Sequence, residues 1–174
     1  MKKIILIILT LVIMSLIYNE TKAETIIIPS TAIRLRVIPN SNSYLDQNMK
    51  NKVKNYLEEN TYQLLKDTDN IEEARNLITK NIPIIEDNID NLFAQNNYDM
   101  DYEINYGYNY FPDKEYRGIK YDEGYYESIV ISIGKAEGDN WWCVLFPNLC
   151  LVDLNEKDDV EYRSWVSEII NKIF

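Results

Sequence analysis

The spacing of apolar positions changes along the chain, and each spacing predicts a different element. At the end of Thr25 to Ile38, residues Ile33, Leu35 and Val37 alternate with Arg34, Arg36 and Ile38, as in a half-buried strand. Pro39 to Ser43 is a turn cluster, and Ser43 with Asp46 three residues on makes a capping-box-like helix start. Leu45, Met49, Val53, Tyr56, Leu57 and Leu64 then follow helical spacing, with Lys50, Lys52, Lys54, Glu58 and Glu59 on the water side. Asp69 or Asn70 caps a second helix carrying Ile71, Ala74, Leu77 and Ile78. Pro83 suits a first helical turn, so a third helix begins there with Ile85, Ile89, Leu92 and Phe93; the alternative is one helix kinked at Pro83.

From Tyr98 the period drops to two. Tyr98, Met100, Tyr102, Ile104, Tyr106, Tyr108 and Tyr110 alternate with polar residues, the clearest strand pattern in the chain. This tyrosine row either packs one face of a sheet against helices or serves as a stacking platform for sugars. Phe111 to Gly118 reads as a connection, and Tyr125 to Ile133 as another strand. Trp141 to Phe146 then makes a strand, Phe146 to Asn148 its turn and Leu149 to Val152 a short return strand. A tight hairpin in that register pairs Val144 with Leu149 and sets Cys143 opposite Cys150, within reach of a disulfide; two buried thiols are the alternative. Val160, Trp165, Val166, Ile169, Ile170 and Ile173 give a C-terminal amphipathic helix, favoured by Asp158 and Asp159 at its start.

The fold class that follows is α+β. A mostly antiparallel sheet of four to five strands takes two or three helices after its first strand and ends in the C-terminal amphipathic helix. Met1-Lys2-Lys3 and the apolar run Ile4 to Tyr18 are too short for an ordinary membrane span and suit a signal peptide, with Thr21-Lys22-Ala23 as a cleavage site. Residues 1–23 are therefore expected to be a signal peptide or an N-terminal anchor, and 24–174 a single α+β domain. Export would place both cysteines where they can be oxidised. Contact with a membrane is then expected only through the N-terminal segment, and only if it stays uncleaved.

Composition narrows the chemistry. A net charge of −10 disfavours nucleic acid and anionic lipid as partners. The chain has no histidine, which removes Ser-His-Asp and Cys-His nucleophile systems, zincin motifs and imidazole acid–base catalysis. No cofactor or metal is implied. The loop Gly134 to Asp139 carries two spaced glycines, but it is acidic and no helix follows it, so a phosphate loop is excluded. What remains on the catalytic side is a carboxylate-dependent glycan hydrolase using Asp101 or Glu103 with Glu127. On the binding side, the tyrosine row could make the chain an exported cell-wall-binding module.

Three stretches together resemble the stage II sporulation protein R family of endospore-forming bacteria. They are Ile33 to Ser43 leading into Asp46, Gln47 and Lys50; Tyr110 to Tyr116; and Gly124 to Gly134 continuing through Trp141-Trp142-Cys143 to Cys150. Arg36, Pro39, Asn42 and Asn148 depart from the family pattern. The resemblance implies a non-enzymatic signal, exported from the forespore into the intermembrane space, secreted or N-terminally anchored. There it would activate a membrane-embedded aspartic protease from its extracytoplasmic face, and that protease processes the mother-cell sigma factor precursor. On that reading the expected partner-binding residues are Arg34, Arg36, Asn40, Ser41, Trp141, Trp142, Phe146 and Pro147. Adjacent strand residues face opposite ways, so one of Trp141 and Trp142 is expected inward and the other outward. For the arginines the plain alternative is a solvated or salt-bridged strand face.

Overall fold

The structure, a computed structural model, describes residues 26–116, 119–147, 149–150 and 159–173, together with Lys3, Ile8 and Thr10. The order is β1 (Ile26–Ile27), β2 (Ile33–Ile38), α1 (Tyr44–Leu65), α2 (Ile71–Gln95), β3 (Tyr102–Phe111), β4 (Lys114–Tyr116), β5 (Ile119–Tyr121), β6 (Gly124–Ile133), β7 (Trp141–Phe146) and α3 (Asp159–Ile173). The expected signal segment, apart from Lys3, Ile8 and Thr10, and the return strand beyond Cys150 lie outside the described residues. Among those residues no helix is long and apolar enough to cross a membrane.

The main sheet has the order β3-β6-β2-β7. Its outer pairs are antiparallel and its central pair, β2 with β6, is parallel, with Leu35 opposite Ile129 and Val37 opposite Ile131. The expected α+β class and its mostly antiparallel sheet are present. The alternation in β2 works as its sequence dictates: Ile33, Leu35 and Val37 are fully buried under the helices, beside Ile129, Ile131 and Ile133 of β6. Helix α1 faces them with Met49, Val53, Leu57 and Leu65, and α2 with Ala74, Ile78, Ile85, Ile89 and Phe93. Burying one such aliphatic side chain contributes about 2 kcal/mol, so this double stripe is a large source of stabilisation.

Several expectations are corrected. Ile71 to Gln95 is one helix with Pro83 inside it, the single-helix alternative rather than two helices. An internal proline costs about 3 kcal/mol, but Ile78 and Ile85 on either side of it pack into the same core and hold the helix together. Residues 26–38 are divided between two sheets, because β1 pairs with β5 and only β2 joins the main sheet. Tyr98 precedes β3 and is buried between α1 and α2, its ring 5.0 Å from that of Phe93. The connection after Phe111 holds β4 and β5, which complete a small sheet in the order β1-β5-β4. Leu45, assigned to an apolar helix face, is 61% exposed, whereas Lys50, assigned to water, is 9% exposed.

A second apolar cluster lies away from α1 and α2. Val166 of α3, with Ile169 and Ile170, packs on Ile28, Ala32, Val144 and Leu149. The C-terminal amphipathic helix is thus present and lays its apolar stripe on the chain around β7.

Candidate functional site

Because Ile33, Leu35 and Val37 point to the helices, Arg34 and Arg36 must project from the other face of the sheet. On that face Arg34 stands beside Ser128 of β6 and Val144 of β7, and Arg36 beside Val130 and Trp142. Arg34 is not a surface residue: it is 2% exposed, and among the described residues its Nε, Nη1 and Nη2 have no hydrogen-bond partner. Aromatic rings surround it instead. Its Cζ lies 3.4 Å from the Tyr126 ring centroid, 5.5 Å from Phe111 and 5.8 Å from Tyr121. Burial pulls the guanidinium below its ordinary pKa, offset in part by Tyr126, Tyr121 and Asp122.

Arg36 is half-buried and partnered. The Asn140 side chain, oriented as its neighbours require, accepts from Arg36 Nη2 at 2.6 Å and Nε at 3.0 Å, and donates to the Gly138 carbonyl at 2.9 Å. The Arg36 Cζ is 5.4 Å from the Trp142 ring and 5.9 Å from Phe111. On the rim, the Lys114 Nζ is 4.8 Å from the same Trp142 ring. These groups border a cavity of about 230 Å³, lined in part by Arg34, Phe111, Lys114, Tyr121, Asn140 and Trp142. Trp141 and Trp142 do face opposite sides. Trp141 packs toward the helical layer with Lys54 5.8 Å over its ring, and Trp142 forms a wall of the cavity. Both are half-buried, so neither is simply core or simply surface.

Cys143 also lines the cavity and is joined to Cys150, with a Cα separation of 5.4 Å. The Leu149 N–H donates to the Val144 carbonyl at 3.1 Å, the pairing expected of a tight hairpin, and the Phe146–Pro147 bond is cis. Phe146 and Pro147 are buried at this turn rather than on a contact rim. Phe146 is 1% exposed and belongs to the main core, because the register slips between Ile33 and Arg34 and turns the end of β7 inward.

The turn expected to meet a partner is built into the fold. Asp46, 4% exposed, accepts from Asn40 Nδ2 (2.9 Å), Ser41 Oγ and Tyr98 OH (2.7 Å), while its own N–H donates to Ser43 Oγ (3.2 Å). Burial opposes ionisation of this carboxyl, but the hydrogen bonds outweigh it and bring its pKa down to about 2. Asn40 Oδ1 accepts from the Lys135 N–H at 3.0 Å, and Asn42 Oδ1 from the Asp139 N–H at 2.6 Å. Lys50 Nζ donates to the Asp139 carbonyl at 3.0 Å. A Cβ on Gly138 would overlap the Ser41 carbonyl, and Gly134, at φ +56°, would drive one into Asn40. Asn40 and Ser41 therefore spend their polar groups inside the fold, on Asp46 and the Gly134–Asp139 loop, and what the turn exposes is Asn42, Ser43, Tyr44 and Leu45. Of the positions that depart from the family pattern, Arg36 and Asn42 make internal contacts and Pro39 is buried.

The hydrolase and wall-binding readings meet different geometry. Glu127 takes Arg75 on both oxygens (3.0, 3.0 and 2.8 Å) and Tyr106 OH (2.6 Å). Burial works against its ionisation, yet these donors hold it below its usual pKa, the reverse of what a general acid needs. Glu103 alternates to the opposite face, and Asp101 lies beyond a rung six pairs from Glu127, about 20 Å at strand spacing, against the roughly 5 to 10 Å of a glycosidase pair. The tyrosine row divides. Tyr102 OH bonds the α2 carbonyl of Glu86 and the Asp90 carboxylate, whereas Tyr108 and Tyr110, with Tyr125 across the ladder, are exposed.

Sequence reasoning missed Phe111, Lys114, Tyr121 and Tyr126 as members of the site. A signal existed for Tyr126: it shares strand parity with Ser128 and so with the arginine face. The side chains of β4 and β5 carried none, since their sheet was not foreseen.

Fold and site together define an α+β domain whose second sheet face bears a cationic, aromatic-walled cavity beside a disulfide-closed turn. The chain belongs to the stage II sporulation protein R family, whose profile, described as Stage II sporulation protein R (spore_II_R), matches residues 29–156. It is 33% identical over 143 residues to the stage II sporulation protein R of Bacillus subtilis (strain 168), in an alignment covering 82% of this chain and 64% of that relative. The chain thus matches somewhat less than two thirds of the relative's length. No solved structure matches it.

Proposed function

We propose that this chain is an exported intercompartmental signal of endospore formation, a protein ligand rather than an enzyme. It activates a membrane-embedded aspartic protease from the extracytoplasmic side, and the protease then processes the mother-cell sigma factor precursor. The family match over residues 29–156 carries this reading. Export is supported by the Cys143–Cys150 disulfide, a bond that persists in oxidising compartments, and by the basic and apolar N-terminal residues. The Arg34–Trp142 cavity is the contact surface with the most distinctive chemistry, since desolvated arginine and tryptophan side chains are frequent energetic anchors of interfaces.

The test is complementation. The full chain is expressed in the forespore of an endospore former lacking its own activator, alone and with the protease from its native host. Cleavage of the sigma precursor is followed by immunoblot. Cleavage that requires residues 1–23 is the expected result. No cleavage with the native protease present, when the protein is exported and folded, would overturn the proposal.

A further inference from the structure

The cavity on the second sheet face contains a buried cation that makes no salt bridge to a carboxylate among the described residues. Five N–H donors sit on the Arg34 guanidinium, and among the described residues none of its three nitrogens has an acceptor in hydrogen-bond geometry. The Tyr126 ring, its centroid 3.4 Å from Cζ, covers one side of the guanidinium, and Arg34 lines the cavity. Among the described residues, two neighbouring carboxylates are already engaged. Asp122 is paired with Lys120 at 2.7 Å, and Glu127 is on the opposite face with Arg75. Arg36 and Lys114 bring two more cationic side chains to the same Trp142 ring. In a protein of net charge −10 this is a local reversal of sign, set among the flat apolar walls of Phe111 and Trp142 and the Val144 side chain.

We propose that this cavity is a carboxylate-binding pocket that receives an acidic side chain, aspartate or glutamate, from a protein partner. The carboxylate accepts in-plane hydrogen bonds from the edge of Arg34, Lys114 closes over it from the rim, and the aromatic walls take the aliphatic stem. A planar anion is favoured because the guanidinium fork matches a carboxylate edge to edge. Assignment of the carboxylate to a protein rests on the reading of this chain as an exported protein ligand. The pocket's preference for a carboxylate does not.

The probes are an N-acetylated, C-amidated Gly-Glu-Gly peptide, its Gly-Gln-Gly counterpart, and free glutarate, each titrated into the full-length protein with its disulfide intact. Binding is read from tryptophan fluorescence and from calorimetry. Saturable binding of the Glu peptide is expected, at least 10-fold tighter than the Gln peptide. It should weaken at least 10-fold in Arg34→Met and several-fold in Lys114→Ala, a change at an exposed position that leaves the fold in place. Equal binding of Glu and Gln peptides, or binding of neither carboxylate, would overturn the pocket. Glutarate binding without peptide binding would overturn its assignment to a protein partner. In the complementation assay, Arg34→Met and Lys114→Glu should each reduce sigma-precursor cleavage at least several-fold while the unsubstituted chain restores it. Full cleavage by both variants removes the pocket from the interface. Failure of the unsubstituted chain counts instead against the proposed function, and the titration still decides the pocket.

Discussion

Asp46 and Arg34 are both charged and both closed off from water, at 4% and 2% exposure, yet the protein treats them in opposite ways. Asp46 is satisfied by Asn40, Ser41 and Tyr98, so it ties the turn after β2, the start of α1 and the end of α2 into one unit. Arg34 has aromatic neighbours and, among the described residues, no acceptor. A buried charge with its full set of hydrogen bonds holds structure together, whereas one without them costs free energy that only an incoming partner can recover. The two residues are close in the chain, and burial alone would not tell them apart. Their hydrogen-bond inventories separate a structural hub from a binding site.

Removing the hub should have the largest effect. Asp46→Ala leaves the Asn40, Ser41 and Tyr98 donors without their acceptor and should lower unfolding free energy by about 3 kcal/mol, measured by urea denaturation. A loss below about 1 kcal/mol would show that the junction does not depend on this carboxylate. Acid should expose the same contrast. The Asp46 carboxyl is brought from 3.8 to about 2 by folding, so its stabilising contribution is complete above the unfolded value and disappears as pH falls from near 4 to near 2. That limb should amount to roughly 2 kcal/mol and be missing in Asp46→Asn; an unchanged acid limb in the variant would assign the effect to other carboxylates. The smallest change is expected at Arg34. Arg34→Met removes an unpaired buried charge while keeping apolar volume, so stability should stay within about 1 kcal/mol of the parent or rise. Destabilisation as large as that of Asp46→Ala would mean that the aromatic cage holds Arg34 as structure and would dissolve the comparison.

The site was legible in part for the same reason. Arg34, Arg36, Trp141 and Trp142 could be singled out because strand alternation fixes which way a side chain points once one face is known to be apolar. Burial of Arg34 could not be read the same way, because it depends on Phe111, Tyr121 and Tyr126, which come from three other strands. Asn40 and Ser41 looked like an open polar turn; the loop that covers them, Gly134 to Asp139, is almost a hundred residues further on.

By itself the sequence determined the alternation of β2, most of the stripes of α1 and α2, the Ser43 cap, the Cys143–Cys150 pairing geometry and membership of a family, all of which depend on periods and spacings along the chain. Only the tertiary structure decided that the helix continues through Pro83, that Lys50 is buried, that a second small sheet forms, and that one charge finds partners while another does not. Those outcomes turn on which distant groups arrive at the same place, and on whether what arrives there can accept a hydrogen bond.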